Sequence, residues 1–297
     1  MTITDPATGM PLSPGSERIV VSSSEAEVER VHLQTSAGVL SALFVAPTGP
    51  PRATIVALHG AGMTARYFHG RLLPGQSLMA LAAQLGYNVL CVDRPGYGAS
   101  AIQFSDGLLI DEQADVISDG VQHFLSSRSK GRGIVLVAHS FGGKIALVMG
   151  ARQLVPNLLG IEISGCGYRF ADSGYSAISP QRNWGPLRLY PPHTFTTSKE
   201  IVTLAPAREL NETASWAMRL PDIAARLSVP VRMTFAEHEG WWQHDERAIG
   251  EIRELLVASP RVEIEHHRQA GHNISLGWSA RAYHLKALAF ADECAAA

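Results

Sequence analysis

Ser140 stands where the apolar run at 134–137, followed by Ala138 and His139, meets Gly142, Gly143 and the start of a helical pattern. A strand that hands a serine straight to a helix makes a sharp, strained turn, the wiring of a nucleophile elbow, and holds the serine Oγ out above the sheet edge. The chain can pass close to such a turn only where its neighbours are small. Ala138 and Gly142 fill those two positions, with alanine at the first, where glycine is usual. A serine hydroxyl is a poor nucleophile near neutral pH. It needs a histidine to take its proton as it attacks a carbonyl, and a carboxylate to hold that histidine in the right tautomer.

The elements that must position these groups are visible as hydrophobic patterns. Segments 28–35 and 38–46 alternate around Ser36-Ala37-Gly38 and predict an antiparallel hairpin. After Pro50-Pro51 come short apolar runs at 54–58, 87–92, 134–137, 158–163, 231–235 and 262–265. Helical spacing of apolar residues fills 76–85, 111–127, 143–153, 245–258 and 279–294. Strands alternating with helices predict an α/β fold: a mostly parallel central sheet with helices on both faces. The alternation breaks between 165 and 221, where prolines crowd with Tyr168, Phe170, Tyr175, Trp184, Tyr190, Phe195 and Trp216. An inserted cap or lid is expected there. The expected division is a flexible leader at 1–24, a core at 25–164 and 222–297, and the cap at 165–221.

Composition fits a globular enzyme of 297 residues, 46% hydrophobic and 18% charged, long enough to bury a large core. A net charge of -2 gives no electrostatic reason to expect nucleic acid or an anionic membrane as partner. Cys91, Cys166 and Cys294 lack metal-type C-x-x-C pairing and read as buried, reduced thiols. The first two dozen residues carry no basic segment followed by an apolar one, and no apolar run is long enough to span a bilayer, so a cytoplasmic location is expected. None of the 12 histidines falls in an H-E-x-x-H pair, and no metal is expected. His59 and His139 adjoin site loops and read as structural. His266, His267 and His284 read as surface residues of a strand or helix, and Asp93 as the brace of its own turn.

Several motifs agree in their order along the chain. Leu58-His59-Gly60-Ala61-Gly62 follows the first apolar run after Pro50-Pro51, and Asp93-Arg94-Pro95-Gly96-Tyr97-Gly98-Ala99-Ser100 follows the next. The elbow comes third, then Ala236-Glu237-His238-Glu239, then Gly271-His272-Asn273. From about residue 28 to 294 the chain resembles the α/β-hydrolase superfamily. The resemblance implies Ser140 as nucleophile, His272 as base and then acid, and the chain order serine, acid, histidine. It favours Glu239 as the acid, in a G-x-x-D loop where Ala236 replaces glycine and glutamate replaces aspartate. Glu237 is the rival, with Asp245 and Asp172 behind it. The resemblance also implies the backbone N–H groups of Phe141 and Ala61 as oxyanion donors.

The expected activity is that of a cofactor-independent serine hydrolase, with an ester or thioester of a small hydrophobic acid as substrate and an acyl-enzyme as intermediate. Acyl transfer, cyclisation or carbon-carbon bond hydrolysis would use the same groups, and a binding module of the same fold would use none of them. Large apolar side chains over the site, Trp184 and Trp216 from the cap and Trp241 after the acid, are the expected substrate contacts. Their competing assignment is to the cap's own small core.

Overall fold

The structure is a computed structural model that describes residues 27–70, 73–171, 180–197, 200–212 and 215–297. The expected leader, Asp172 and Tyr175 lie outside the described residues. The strands are β1 (Glu29–Thr35), β2 (Gly38–Val45), β3 (Thr54–Leu58), β4 (Asn88–Val92), β5 (Ile134–His139), β6 (Leu158–Ser164), β7 (Val231–His238) and β8 (Val262–Gly271). They form one sheet in the order β1-β2-β4-β3-β5-β6-β7-β8. β1 and β2 pair antiparallel, as the hairpin pattern predicts, and β2 joins β4 antiparallel. Every later pairing is parallel.

Every residue of β3, β4 and β5 is buried, which explains why these strands read as continuous apolar runs rather than as alternating ones. Successive side chains still point to opposite faces. Val56, Leu58, Leu136 and Ala138 enter one core with residues of α2 (Ile110–Leu125) and α3 (Phe141–Ala151). Ile55, Ala57, Val135 and Val137 enter the other, with α1 (Leu78–Gln84) and the C-terminal helix Ala280–Ala296. Each buried valine, leucine and isoleucine here contributes about 1.5–3 kcal/mol of burial free energy, so the middle of the sheet is the rigid platform on which the elbow stands.

β7 and β8 run beyond the expected ends, to His238 and Gly271. A register shift opposite Ala236 and His238 puts extra residues into β8 between His267 and Gly271, where Gln269 takes φ 53. Among the described residues between β6 and β7 lie the short α-helices α4 (Pro180–Trp184), α5 (Thr194–Thr197), α6 (Ala207–Glu212) and α7 (Trp216–Ala224). The last two helices in the chain are α8 (Glu246–Leu255) and α9 (Ala280–Ala296). Asp245 caps α8 by accepting the Ala248 N–H at 2.8 Å, which commits its carboxylate there. Asp93 accepts the Ala65 N–H and the Ser41 hydroxyl, both at 2.7 Å, and so ties its loop to two neighbouring segments. The three cysteines are buried and form no disulfide. Among the described residues no helix is long and apolar enough to cross a membrane.

Candidate active site

The β5–α3 junction places Ser140 at φ 52, ψ −118, a left-handed conformation that costs a non-glycine residue of order 1–3 kcal/mol. Two backbone hydrogen bonds hold it there: Ser140 N–H donates to the Ser164 carbonyl at 2.8 Å, and Gly143 N–H donates to the Ser140 carbonyl at 2.9 Å. The requirement for small neighbours is physical. A Cβ on Gly142 would lie 2.3 Å from the Leu58 carbonyl oxygen, because the elbow presses against the end of β3. Phe141 opens α3, and the N–H groups of a first helical turn have no acceptor within their own helix.

His272 follows the last residue of β8 and turns its ring under the elbow. Its Nε2 lies 3.0 Å from Ser140 Oγ. Its Nδ1 lies 2.9 and 2.8 Å from the two carboxylate oxygens of Glu239. A carboxylate at Nδ1 assigns the ring proton to that nitrogen and leaves Nε2 free to accept from the serine hydroxyl. Glu239 stands one residue past β7, where a turn from its N–H to the Ala236 carbonyl draws it inward. Its side chain is sealed from solvent, and the Trp241 N–H donates to Oε1 at 2.9 Å. The longer glutamate side chain reaches His272 Nδ1 from this turn just past β7. Gly165 keeps room for the imidazole: its φ is +60, and a Cβ there would meet His272 Cε1 at 2.8 Å.

Glu237, the rival carboxylate, is exposed at the rim of β7 and accepts the Gln269 N–H at 2.6 Å, which lowers its pKa. His59 and His139 are both buried. His59 Nε2 accepts the Arg94 N–H, while its Nδ1 pairs with the Gly60 carbonyl. His139 stacks on Tyr67 at 4.6 Å and pairs with the Ser164 hydroxyl. Burial holds both imidazoles well below their usual pKa, so each is neutral at pH 7. Two surface assignments are corrected: His267 and His284 are buried, His284 with both ring nitrogens bonded, to the Gln76 carbonyl and the Ser275 hydroxyl. His266 stays at the surface and pairs with His244.

Above Ser140 opens a cavity of about 430 Å³ whose wall includes Ala61, Phe141, His272, Trp184 and Trp241. Trp216 is not part of this wall. Its ring is fully buried behind Lys144 among core residues, and its Nε1 donates to the Gly167 carbonyl. Asn183 and Lys144 are among the wall residues that the sequence does not single out. Asn183 accepts from Trp241 Nε1 and, through its carbonyl, from the Asn273 side chain, joining α4 to the acid and histidine loops. Lys144 lies one turn into α3, and its one legible signal is that spacing from Ser140.

The sequence pattern of the alpha/beta hydrolase family matches residues 55–285. No curated protein matches the chain in sequence. Among solved structures, a soluble variant of monoglyceride lipase from Saccharomyces cerevisiae, in complex with a substrate analog, superposes with a TM-score of 0.71 at 15% identity, covering 90% of this chain and 95% of that one. A thermostable carboxyl esterase from Bacillus coagulans gives 0.66 at 16% identity, covering 90% and 99%. The thioesterase domain from the curacin biosynthetic pathway gives 0.60 at 13%, covering 88% and 99%. At such identities the likeness carries the fold alone, and it agrees with the strand order already described. Taken with the match over residues 55–285, this places the chain in the alpha/beta hydrolase family.

Proposed function

We propose that this protein is a serine hydrolase that cleaves a carboxylic ester or thioester of a small hydrophobic acyl group through an acyl-enzyme. One observation carries the reading: the unbroken hydrogen-bonded series from Ser140 Oγ to His272 Nε2 and from His272 Nδ1 to Glu239. His272 Nε2 takes the hydroxyl proton as Oγ attacks the substrate carbonyl carbon. The resulting oxyanion accepts hydrogen bonds from the Phe141 and Ala61 N–H groups, each worth about 3 kcal/mol by comparison with single-donor removals in other serine hydrolases. His272 then passes its proton to the departing alkoxide or thiolate. Water repeats the sequence against the acyl-enzyme and restores Ser140. Glu239 stabilises the imidazolium at each stage without itself taking the proton.

Segment 165–221 acts in this reading as the cap, with Trp184 turned to the substrate and Trp216 in its support. Apolar walls exclude water and favour an acyl chain of modest length. Neighbours described as carboxyl esterase, monoglyceride lipase and thioesterase agree with ester or thioester cleavage. The test is hydrolysis of p-nitrophenyl esters from acetate to octanoate and of the matching acyl thioesters. Saturable turnover that is lost in Ser140→Ala supports the reading. Saturable binding with no turnover of any member, in protein that binds equally well as Ser140→Ala, would replace it with a binding module.

A further inference from the structure

Lys144 is the most unusual group in the cavity wall. It is 2% exposed, yet its Nζ has no hydrogen-bonding or ion-pair partner among the described residues. Four aromatic rings surround it instead, with centroids at 5.1 Å (Phe141), 5.6 Å (Phe170), 5.5 Å (Trp216) and 5.5 Å (Trp242). Ring faces attract a cation but supply no acceptor for its three N–H groups. The carboxylates whose fields reach it are committed elsewhere: Glu209 pairs with Arg94, and Glu212 with Arg219. No Asp or Glu is among the described residues of the cavity wall. Burial lowers the lysine pKa to about 8, which still leaves it mostly charged at pH 7. An ammonium so enclosed, with no counter-ion among the described residues, is costly unless something that enters the cavity supplies one.

We propose that Lys144 is the anion subsite of this cavity and that the substrate is a hemiester, or the corresponding half-thioester, of a short dicarboxylic acid whose free carboxylate pairs with Lys144 Nζ. The proposal rests on the hydrolase reading above and narrows its substrate class. The leaving group must lie at His272 Nε2 to receive its proton, whereas the acyl part stays bonded to Ser140, on the helix that carries Lys144. An acyl chain anchored at both ends of that helical turn keeps one geometry through acylation and deacylation. A single ammonium ringed by apolar surface suits a singly charged carboxylate. A phosphomonoester would bring a second charge with nothing to meet it.

The test compares monomethyl succinate, glutarate and adipate with their dimethyl esters at pH 7, using wild type, Lys144→Met and Lys144→Arg. The wild type is expected to favour at least one hemiester over its diester by tenfold or more in kcat/KM. Lys144→Met should lose that preference, with its hemiester kcat/KM falling by tenfold or more, and Lys144→Arg should retain part of it. Equal kcat/KM for hemiester and diester at every length would overturn the proposal, and that comparison needs only the wild type should Lys144→Met fail to fold. Calorimetric titration with free succinate, glutarate and adipate keeps the subsite separate from the hydrolase reading. Dicarboxylate binding that Lys144→Met abolishes supports the subsite even in a protein with no turnover. No binding in the wild type, together with no hemiester preference, overturns it.

Discussion

Arg94 and Glu209 form a two-pronged ion pair, at 2.6 and 3.1 Å, with both side chains sealed from solvent. The pair fastens α6 to the loop after β4, and Tyr97 adds its hydroxyl to Glu209 Oε1 at 2.7 Å. Removing one member of a buried pair leaves an uncompensated charge and costs about 3–5 kcal/mol. Glu209→Leu should therefore lower the unfolding midpoint sharply. The double variant Arg94→Met with Glu209→Leu should recover much of that loss in urea melts. If the single variant is as stable as wild type, the pair does not hold the segment.

Gly142→Ala tests the elbow's need for space. Its new Cβ would meet the Leu58 and His59 carbonyl oxygens at 2.3 and 2.5 Å, and both belong to backbone that cannot swing aside. Overpacking of this kind costs about 1–3 kcal/mol. A shift of the elbow large enough to relieve it should also lower kcat by about tenfold or more, since catalysis falls steeply with misplacement of the nucleophile. Thermal melts and ester kinetics on the same preparation check both.

The two carboxylates at the end of β7 should separate cleanly. Glu239→Gln keeps the volume but removes the charge beside His272 Nδ1, and a drop in kcat of about 10⁴ is expected by analogy with the aspartate of other triads. Glu237→Gln changes a solvent-facing group and should stay within about twofold, as surface substitutions usually do. The reverse pattern in steady-state rates would move the acid to Glu237.

Acid should destabilise the fold above the range where carboxylates protonate. His284 is neutral and fully bonded in the fold, and burial lowers its pKa from 6.5 to about 4. The unfolded chain binds the proton first. Its contribution is therefore present above pH 6.5 and is lost as pH falls toward 4, up to about 3 kcal/mol in all. His59 and His139 act in the same direction. Urea melts at pH 7 and pH 5 should show the loss, and His284→Gln should reduce the difference between the two pH values. An unchanged difference would assign the acid sensitivity to other groups.

What could be read in the sequence follows from how strongly each pattern is tied to local physics. β3, β4 and β5 are legible because strands buried on both faces must be apolar throughout. The elbow is legible because its strain admits few neighbours. β8 was cut short at 265 because its end, His266-His267-Arg268-Gln269, is polar and sits at the sheet edge, where alternation is diluted. His284 was misplaced because a histidine with both nitrogens bonded costs little to bury, and those partners lie in distant segments. The Arg94–Glu209 pair spans 115 positions and leaves no periodic trace. Lys144 defeats the pattern for a different reason: a lysine on a helix is ordinarily solvated, and only the packed cavity reveals that this one is not.

The central claim is that Ser140 is an activated nucleophile, and the most direct measurement is intact-mass analysis after fluorophosphonate treatment of wild type and Ser140→Ala. A single adduct on the wild type, absent from the variant and lost in His272→Ala, is the predicted result. No adduct on the wild type, under conditions that label a known serine hydrolase to completion, would contradict it.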